Sequence, residues 1–171
     1  ALRNSHLEHL GLALNPIGPD GAASLAEALK HNNALLSLDL ANCGIGDDGA
    51  VALGGALRNN QVLRELRLQG NGIRARGSAA LAEALRINPV GLRSLNLRLN
   101  RLDEPAAKAL LDAVKHAKSV MPQAGQSLAS LSLEYNRALP EVGHRAPQPV
   151  LAATLEAISV VASHEYVALA E

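Results

Sequence analysis

Residues 63–85 read LRELRLQGNGIRARGSAALAEAL. The first nine residues follow the pattern L-x-x-L-x-L-x-x-N, which is formed by Leu63, Leu66, Leu68 and Asn71. Leucines two residues apart have the period of a β-strand, whereas the later apolar residues recur at the three and four residue spacing of a helix. This single segment therefore predicts a strand, a loop and a helix in succession.

The same pattern occurs five times along the chain. Its copies begin at Leu7, Leu35, Leu63, Leu92 and Leu128, in steps of 28, 28, 29 and 36 residues. The period divides one domain, residues 1–171, into the end of a preceding repeat (1–6), four repeats (7–34, 35–62, 63–91 and 92–127) and a last repeat with a long loop and a C-terminal helix (128–171). We expect the five first leucines to stack in one buried column.

Stacked units of this kind predict an α/β solenoid. The strands form a parallel sheet on the concave face, and the wider helices lie on the convex face and curve the stack into a horseshoe. Helices are expected over residues 21–29, 49–57, 77–85 and 106–114, and a lengthened connection over residues 117–127. The acidic pairs at Asp47 and Asp103 are expected at helix N-termini, where carboxylates complement the helix dipole.

The ninth position of each repeat is predicted to form a structural ladder. It is occupied by Asn15, Cys43, Asn71, Asn100 and Asn136. An inward-pointing amide at the end of each strand can satisfy backbone groups of adjacent loops that the sheet does not reach. Cys43 is expected to be a small, buried and inert substitute.

These repeats resemble the ribonuclease-inhibitor type of leucine-rich repeat, on the five in-register motifs and on the continuation N-x-I-x-x-x-G-A-x-x-L-A-E-A-L from Asn15 to Leu29. The resemblance implies a horseshoe that binds other proteins. Residues 1–4 read like the tail of a repeat helix, as at residues 56–59, so the chain is expected to be a piece of a longer protein.

Charge and composition narrow the function further. The 171 residues carry 16 Lys and Arg against 16 Asp and Glu, a formal net charge of zero, which gives no support to a nucleic-acid or membrane partner. The one cysteine favours an intracellular setting, cytoplasmic or associated with the cytoskeleton. The six histidines are scattered, and no phosphate loop or catalytic constellation occurs. We expect no catalytic residues, no metal, no cofactor and no enzyme activity.

A partner protein is expected on the solvent-facing strand positions. The third and fourth repeats concentrate arginines there, and the candidate contacts are Arg64, Arg67, Arg93, Arg98, Glu134 and Tyr135. Such a band would suit an acidic segment, because Arg binds carboxylates in a bidentate way. Internal pairing of Arg67 with Asp39 and of Arg98 with Glu134, one strand apart, is the alternative interpretation.

Three functions therefore stay open. The first is a non-catalytic protein-interaction scaffold that uses its concave face. The second is a structural subunit of a larger cytoskeletal or axonemal assembly, whose Ala-rich repeats these repeats also resemble. The third is a regulator, because the repeats are similar to those of GTPase-activating proteins and cytosolic immune sensors.

Overall fold

The computed structural model describes residues 6–120 and 127–136. Within these ranges strands and helices alternate strictly. Their bounds are β1 His9–Gly11, α1 Gly18–Leu29, β2 Ser37–Asp39, α2 Gly46–Leu57, β3 Glu65–Arg67, α3 Ala75–Ile87, β4 Ser94–Asn96, α4 Glu104–Val120 and β5 Ser130–Ser132. Each described repeat thus supplies one strand, and the first four also supply a helix.

The strands form a parallel sheet in chain order, β1-β2-β3-β4-β5. Its central row aligns the second leucine of every repeat: Leu10, Leu38, Leu66, Leu95 and Leu131. Adjacent strands lie about 4.8 Å apart, whereas packed helices need about 8–10 Å. Because the helices are wider than the strands, the sheet takes the inner, concave side of the stack.

The core lies between the sheet and the helices and consists of aliphatic layers. Of the five first leucines, Leu35, Leu63, Leu92 and Leu128 are buried, with at most 4% of their surface exposed. Leu7 is 43% exposed, so the prediction of a fully buried column is wrong for that residue. Leu7 lies two residues before β1, the outermost described strand, which a neighbouring repeat covers on one side only.

Small residues let successive helices pack closely. A Cβ placed on Gly49 would lie 2.8 Å from the Ala22 Cβ of the preceding helix, and one on Gly54 would lie 2.8 Å from the Ala80 carbonyl oxygen of the following helix. Real Cβ atoms do not approach other atoms this closely, because the repulsion is too steep. These two glycines therefore hold the helix-to-helix distances on the convex side.

The helices are longer than the apolar stripes that predict them. The first three begin two or three residues before the expected starts, and α4 continues to Val120. Residues 117–120 of the expected connection are thus helical, which corrects that boundary, and β5 still pairs in register, with Leu131 opposite Leu95. The long loop and the C-terminal helix predicted for the last repeat lie in residues 137–171, outside the described residues.

Candidate functional site

The candidate site is the concave surface of the sheet, where two rows of side chains face solvent. Their side chains alternate with the buried leucines, so each strand contributes one residue to each row. The first row is His9, Ser37, Glu65, Ser94 and Ser130, and the second is Gly11, Asp39, Arg67, Asn96 and Ser132. All ten residues are exposed or half-buried. The concave face is therefore polar and mixed in charge.

Arg67 stands at the middle of this face and is held by two carboxylates. Its Nη2 lies 2.8 Å from Glu65 Oε1, and its Nη1 lies 3.6 Å from Asp39 Oδ2 on the neighbouring strand. The hydroxyl of Ser37 donates to the other oxygen of Glu65 at 3.1 Å. The hydrogen bond from Arg67 lowers the pKa of Glu65 against a smaller opposing effect of burial. Arg67 is thus charge-compensated within the fold.

Arg98 has a similar environment at the end of β4. Its Nε lies 3.4 Å from Glu134 Oε2, and its guanidinium carbon lies 5.2 Å from the centre of the Tyr135 ring. The second distance is within the range of a cation–π interaction. Arg98, Glu134 and Tyr135 therefore form one connected group on the fourth and fifth repeats.

The other two predicted arginines have different environments. Arg64 is half-buried, and its Nη1 donates to the backbone oxygens of Val90 at 3.3 Å and Gly91 at 2.6 Å, which lie in the loop after α3. Its guanidinium holds a loop in place. Arg93 is exposed and has no ion pair within residues 6–120 and 127–136.

The structure therefore shows the internal pairing that was the alternative interpretation of the sequence: Arg67 pairs with Asp39, and Arg98 pairs with Glu134. Asp39, Glu65 and Glu134 balance Arg67 and Arg98, whereas Arg64, which bonds to neutral backbone oxygens, and Arg93 have no carboxylate partner among the described residues. Exposed pairs of this kind contribute about 0–1 kcal/mol each, so they can be exchanged for pairs with a partner. The surface is suited to a segment of mixed charge.

Below the concave face, the ninth-position residues connect one repeat to the next. Asn71 Oδ1 accepts from the N–H groups of Cys43 at 2.9 Å and Ile45 at 3.3 Å, and Asn71 Nδ2 donates to Leu40 O at 2.7 Å. Asn100 makes the same contacts one repeat later. Each amide thus satisfies donors and an acceptor of the preceding loop, which no strand pairing reaches.

The other three ninth-position residues make different hydrogen bonds, according to their place in the stack of repeats. Asn136 Oδ1 accepts from Leu102 N at 3.2 Å, and the buried thiol of Cys43 donates to Leu12 O at 3.1 Å. Asn15 is exposed and donates only to carbonyls of its own loop. No strand precedes β1 in the described sheet, so Asn15 has no earlier loop to hold.

A second row of buried asparagines was missed by the sequence analysis. It lies at the helix C-termini and consists of Asn32, Asn60 and Asn88, which are 5–7% exposed. Asn60 Nδ2 donates to Leu29 O at 2.8 Å in the preceding repeat, and Asn88 Nδ2 donates to Leu57 O at 2.8 Å. The signal that could have revealed this row is the recurrence of Asn at steps of 28 residues.

The acidic residue Asp47 also connects two repeats. Its Oδ1 accepts from Arg74 N at 2.8 Å and Gly77 N at 2.9 Å, so it caps the N-terminus of α3, although it belongs to α2. Asp103 caps its own helix, since its Oδ1 accepts from Ala106 N at 2.9 Å. Both residues therefore satisfy helix N-termini rather than offering a free carboxylate to a cation.

In the described ranges, no group of three His, Cys, Asp or Glu side chains is arranged to hold a metal ion. No helix of those ranges has both the length and the apolar character needed to cross a membrane. Cys43, the one cysteine, is 1% exposed and lies in the asparagine row. Its position explains it as a packing residue.

Comparison with known families identifies the repeat. A model of the leucine-rich repeat matches residues 3–26, 31–54 and 59–82, in the same register as the strands and helices described above. These residues are leucine-rich repeats, and the described part of the chain has the leucine-rich-repeat solenoid fold. Its repeats are of the long type, with an α-helix on the convex side of each of the first four. A comparison with curated protein sequences finds no match.

Solved structures with the same leucine-rich repeat fold include leiomodin-1 actin-binding site 2. It has a TM-score of 0.68 and 17% identity, over 96% of this chain and 86% of that one. The tropomodulin C-terminal domain of Caenorhabditis elegans has a TM-score of 0.66 and 15% identity, over 96% of this chain and 90% of that one. At these identities the similarity establishes the fold.

Proposed function

We propose that this chain is a non-catalytic scaffold that binds a partner protein along its concave face. The observation that carries the proposal is the pair of polar rows on the in-register sheet. Five short strands present them on a backbone that is fixed from below by buried leucines and by Asn71 and Asn100. A rigid surface of this kind binds with little loss of conformational entropy.

The contacts that we assign to the partner lie on the third to fifth repeats. Arg93 offers a guanidinium that has no ion pair among the described residues, and Arg67 and Arg98 offer guanidiniums whose internal pairs are weak enough to exchange. Glu134 and Tyr135 complete the group, because Tyr and Arg dominate interface energetics. Arg64 supports this surface indirectly through the loop at Val90 and Gly91.

The partner that fits this surface is a protein segment of mixed charge with a surplus of carboxylates. Its acidic groups would pair with Arg93 and compete for Arg67 and Arg98, and its cations would meet Asp39 and Glu65. Nothing in the face suits a nucleic acid, which needs a surplus of cations to neutralise phosphates. We place the protein inside the cell, in the cytoplasm or with the cytoskeleton.

The test is affinity capture from a native lysate followed by measurement of the purified partner by calorimetry. We expect the triple variant Arg67→Glu, Arg93→Glu, Arg98→Glu to lose the partner by tenfold or more. The matched control, Arg58→Glu with Arg86→Glu, alters two exposed arginines next to the helix C-termini and should bind as wild type does. Loss of binding in the control alone would place the partner on the convex side.

A second function is favoured by the similarity to leiomodin-1 actin-binding site 2 and to tropomodulin. In that case the solenoid is a structural subunit of a cytoskeletal assembly, and actin is the first partner to test. Co-sedimentation with actin filaments and fluorescence titration of actin monomers would measure it directly. Binding in either experiment supports the cytoskeletal function, whereas no binding at about 50 μM protein would favour an unrelated partner.

A further inference from the structure

Three residues after the end of each strand, one residue adopts the left-handed backbone conformation. We name these residues the rim row; they are Leu14 (φ 63°), Asn42 (φ 53°), Gly70 (φ 69°), Leu99 (φ 55°) and Tyr135 (φ 59°). Each of the first four donates its N–H to the repeat that follows, as Leu99 does to Glu134 O at 3.1 Å. The rim row therefore runs along the edge of the concave face at a regular spacing.

Three members of the rim row are residues that the conformation disfavours. Gly and Asn adopt positive φ readily, whereas a bulky side chain there brings its Cβ close to the backbone. Leu14 is 80% exposed, and Leu99 and Tyr135 are each 58% exposed, so packing does not compensate for the strain. The positive φ accounts for Asn and Gly at positions 42 and 70, but it does not account for Leu14, Leu99 and Tyr135.

Leu99 and Tyr135 lie side by side, because the hydrogen bond from Leu99 N to Glu134 O continues the pairing of the last two strands. The Arg98 guanidinium covers one side of the Tyr135 ring at 5.2 Å. Glu134 Oε2 is inaccessible to solvent and faces Arg98 Nε at 3.4 Å, without a hydrogen bond in the described part of the chain. Leu99 and Tyr135 thus form an exposed apolar patch that lies next to the paired side chains of Arg98 and Glu134.

Besides the paired Arg98 and Glu134, two further arginines follow the rim row in sequence. Arg101 follows Leu99 by two residues, and its N–H donates to Ile73 O at 2.8 Å, which brings it near Arg74. Both arginine side chains are exposed, and neither has an ion pair within the described ranges. The nearby carboxylates of Asp47 and Asp103 accept backbone hydrogen bonds at helix N-termini.

We infer that Leu99 and Tyr135 form an apolar anchor for a segment of the partner protein in which an aliphatic or aromatic side chain is flanked by carboxylates. The apolar side chain packs on the pair, and the carboxylates pair with Arg101 and Arg74. This inference rests on the proposed protein-binding function. It places the anchor on the rim, where strained backbone positions carry exposed apolar side chains.

The experiment selects a random twelve-residue peptide library, displayed on phage, against the whole immobilised chain. The wild-type chain should enrich peptides with one apolar residue between Asp or Glu residues. Leu99→Asn with Tyr135→Asn should reduce that enrichment by tenfold or more. Leu14→Asn is the matched control, because it makes the same change at the same rim position, three strands away, and should leave the enrichment unchanged.

Melting temperature separates loss of the anchor from loss of the fold. Asn tolerates positive φ, as Asn42 shows, so Leu14→Asn should raise the melting temperature by about 2–4 °C. The double variant should melt at or above the wild-type temperature. A chain that becomes more stable and yet stops binding its peptides would identify the apolar pair as a binding feature.

Other results would overturn the inference. Equal enrichment by the double variant, or no enrichment of apolar and acidic peptides by wild type, contradicts it. So does self-association that the double variant abolishes in sedimentation velocity, because the pair would then bind a second copy of the chain. A further outcome is that the double variant Arg67→Glu with Arg93→Glu loses the peptides, whereas the Leu99 and Tyr135 variant keeps them. That result would contradict the rim anchor but would still support binding on the concave face.

Discussion

The amide oxygen of Asn100 accepts a hydrogen bond from the backbone N–H of Asn71 at 3.0 Å. Asn71 in turn accepts from Cys43 N at 2.9 Å, so each of these two asparagines holds the backbone of the ninth-position residue before it. The hydrogen bonds run through three consecutive repeats without a gap. Stability along the solenoid therefore depends on polar contacts between repeats as well as on the leucine core.

Asn100→Ala should lower the free energy of unfolding by about 3 kcal/mol, because it leaves buried backbone donors and carbonyls without partners. These groups include Ile73 N and Leu68 O, which lie in the third repeat. The control is Asn15→Ala, which removes only local hydrogen bonds on an exposed residue and should cost about 0.5 kcal/mol or less. Urea denaturation measures both, and equal losses would contradict the role of the buried row.

Two adjacent glycines in α2 should respond to alanine in opposite directions. A Cβ on Gly54 would lie 2.8 Å from the Ala80 carbonyl oxygen, whereas one on Gly55 meets nothing within 4 Å. Gly54→Ala should therefore destabilise the chain by about 1–3 kcal/mol through strain between α2 and α3. Gly55→Ala should stabilise it by about 0.5–1 kcal/mol, because Ala has the higher helix propensity.

Thermal or urea unfolding of the two variants provides the comparison, and each serves as the control for the other. Stabilisation by both substitutions would mean that the helices have room to separate. That result would contradict the close packing of the convex side.

The register of the sheet could be predicted from sequence, because a repeated step of 28 or 29 residues aligns Leu38, Leu66 and Leu95 whatever the rest of each repeat contains. The same reasoning failed at Leu7, since the period carries no information on whether a neighbouring repeat covers a strand. The end of α4 was also missed. Ala117 stands one period after Asn88, so no asparagine holds the helix C-terminus there.

The charged groups of the concave face were less predictable. Columns of residues follow from the period, but the partner of each guanidinium depends on rotamers and loop geometry. Arg64 reaches the carbonyl of Gly91, and this contact has no counterpart in the spacing of the leucines. The positive φ of Leu99 and Tyr135 could not be predicted either, because the motif places any residue type at that position.

The ionisation of Glu65 should make the folding stability of the chain depend on pH in the acidic range. Its pKa is lowered in the fold by the hydrogen bond from Arg67, relative to an ordinary value of 4.5. The unfolded chain therefore takes up this proton first as the pH falls, and the stability that the pair contributes above about pH 4.5 is lost as the pH falls through the lowered pKa.

Glu65→Gln should thus lose less stability than wild type between about pH 5 and pH 3. The effect is small, because the Glu65 side chain is 34% exposed and solvent screens the pair. Urea denaturation at several pH values measures the difference. A variant whose stability changes with pH as steeply as that of wild type would show that Arg67 does not favour the ionised carboxylate.

The pair of Arg98 and Glu134 should contribute little to folding, with a coupling free energy of about 0–1 kcal/mol. Both side chains are partly exposed, at 44% and 36%, and the two atoms lie 3.4 Å apart. A double-mutant cycle with Arg98→Met and Glu134→Gln isolates this coupling from the loss of each side chain. A weak coupling means that a partner can separate the two groups at small cost. A coupling of about 2 kcal/mol or more would show instead that the pair is needed to hold the last two repeats together. Arg98 would then not be available to pair with a partner protein.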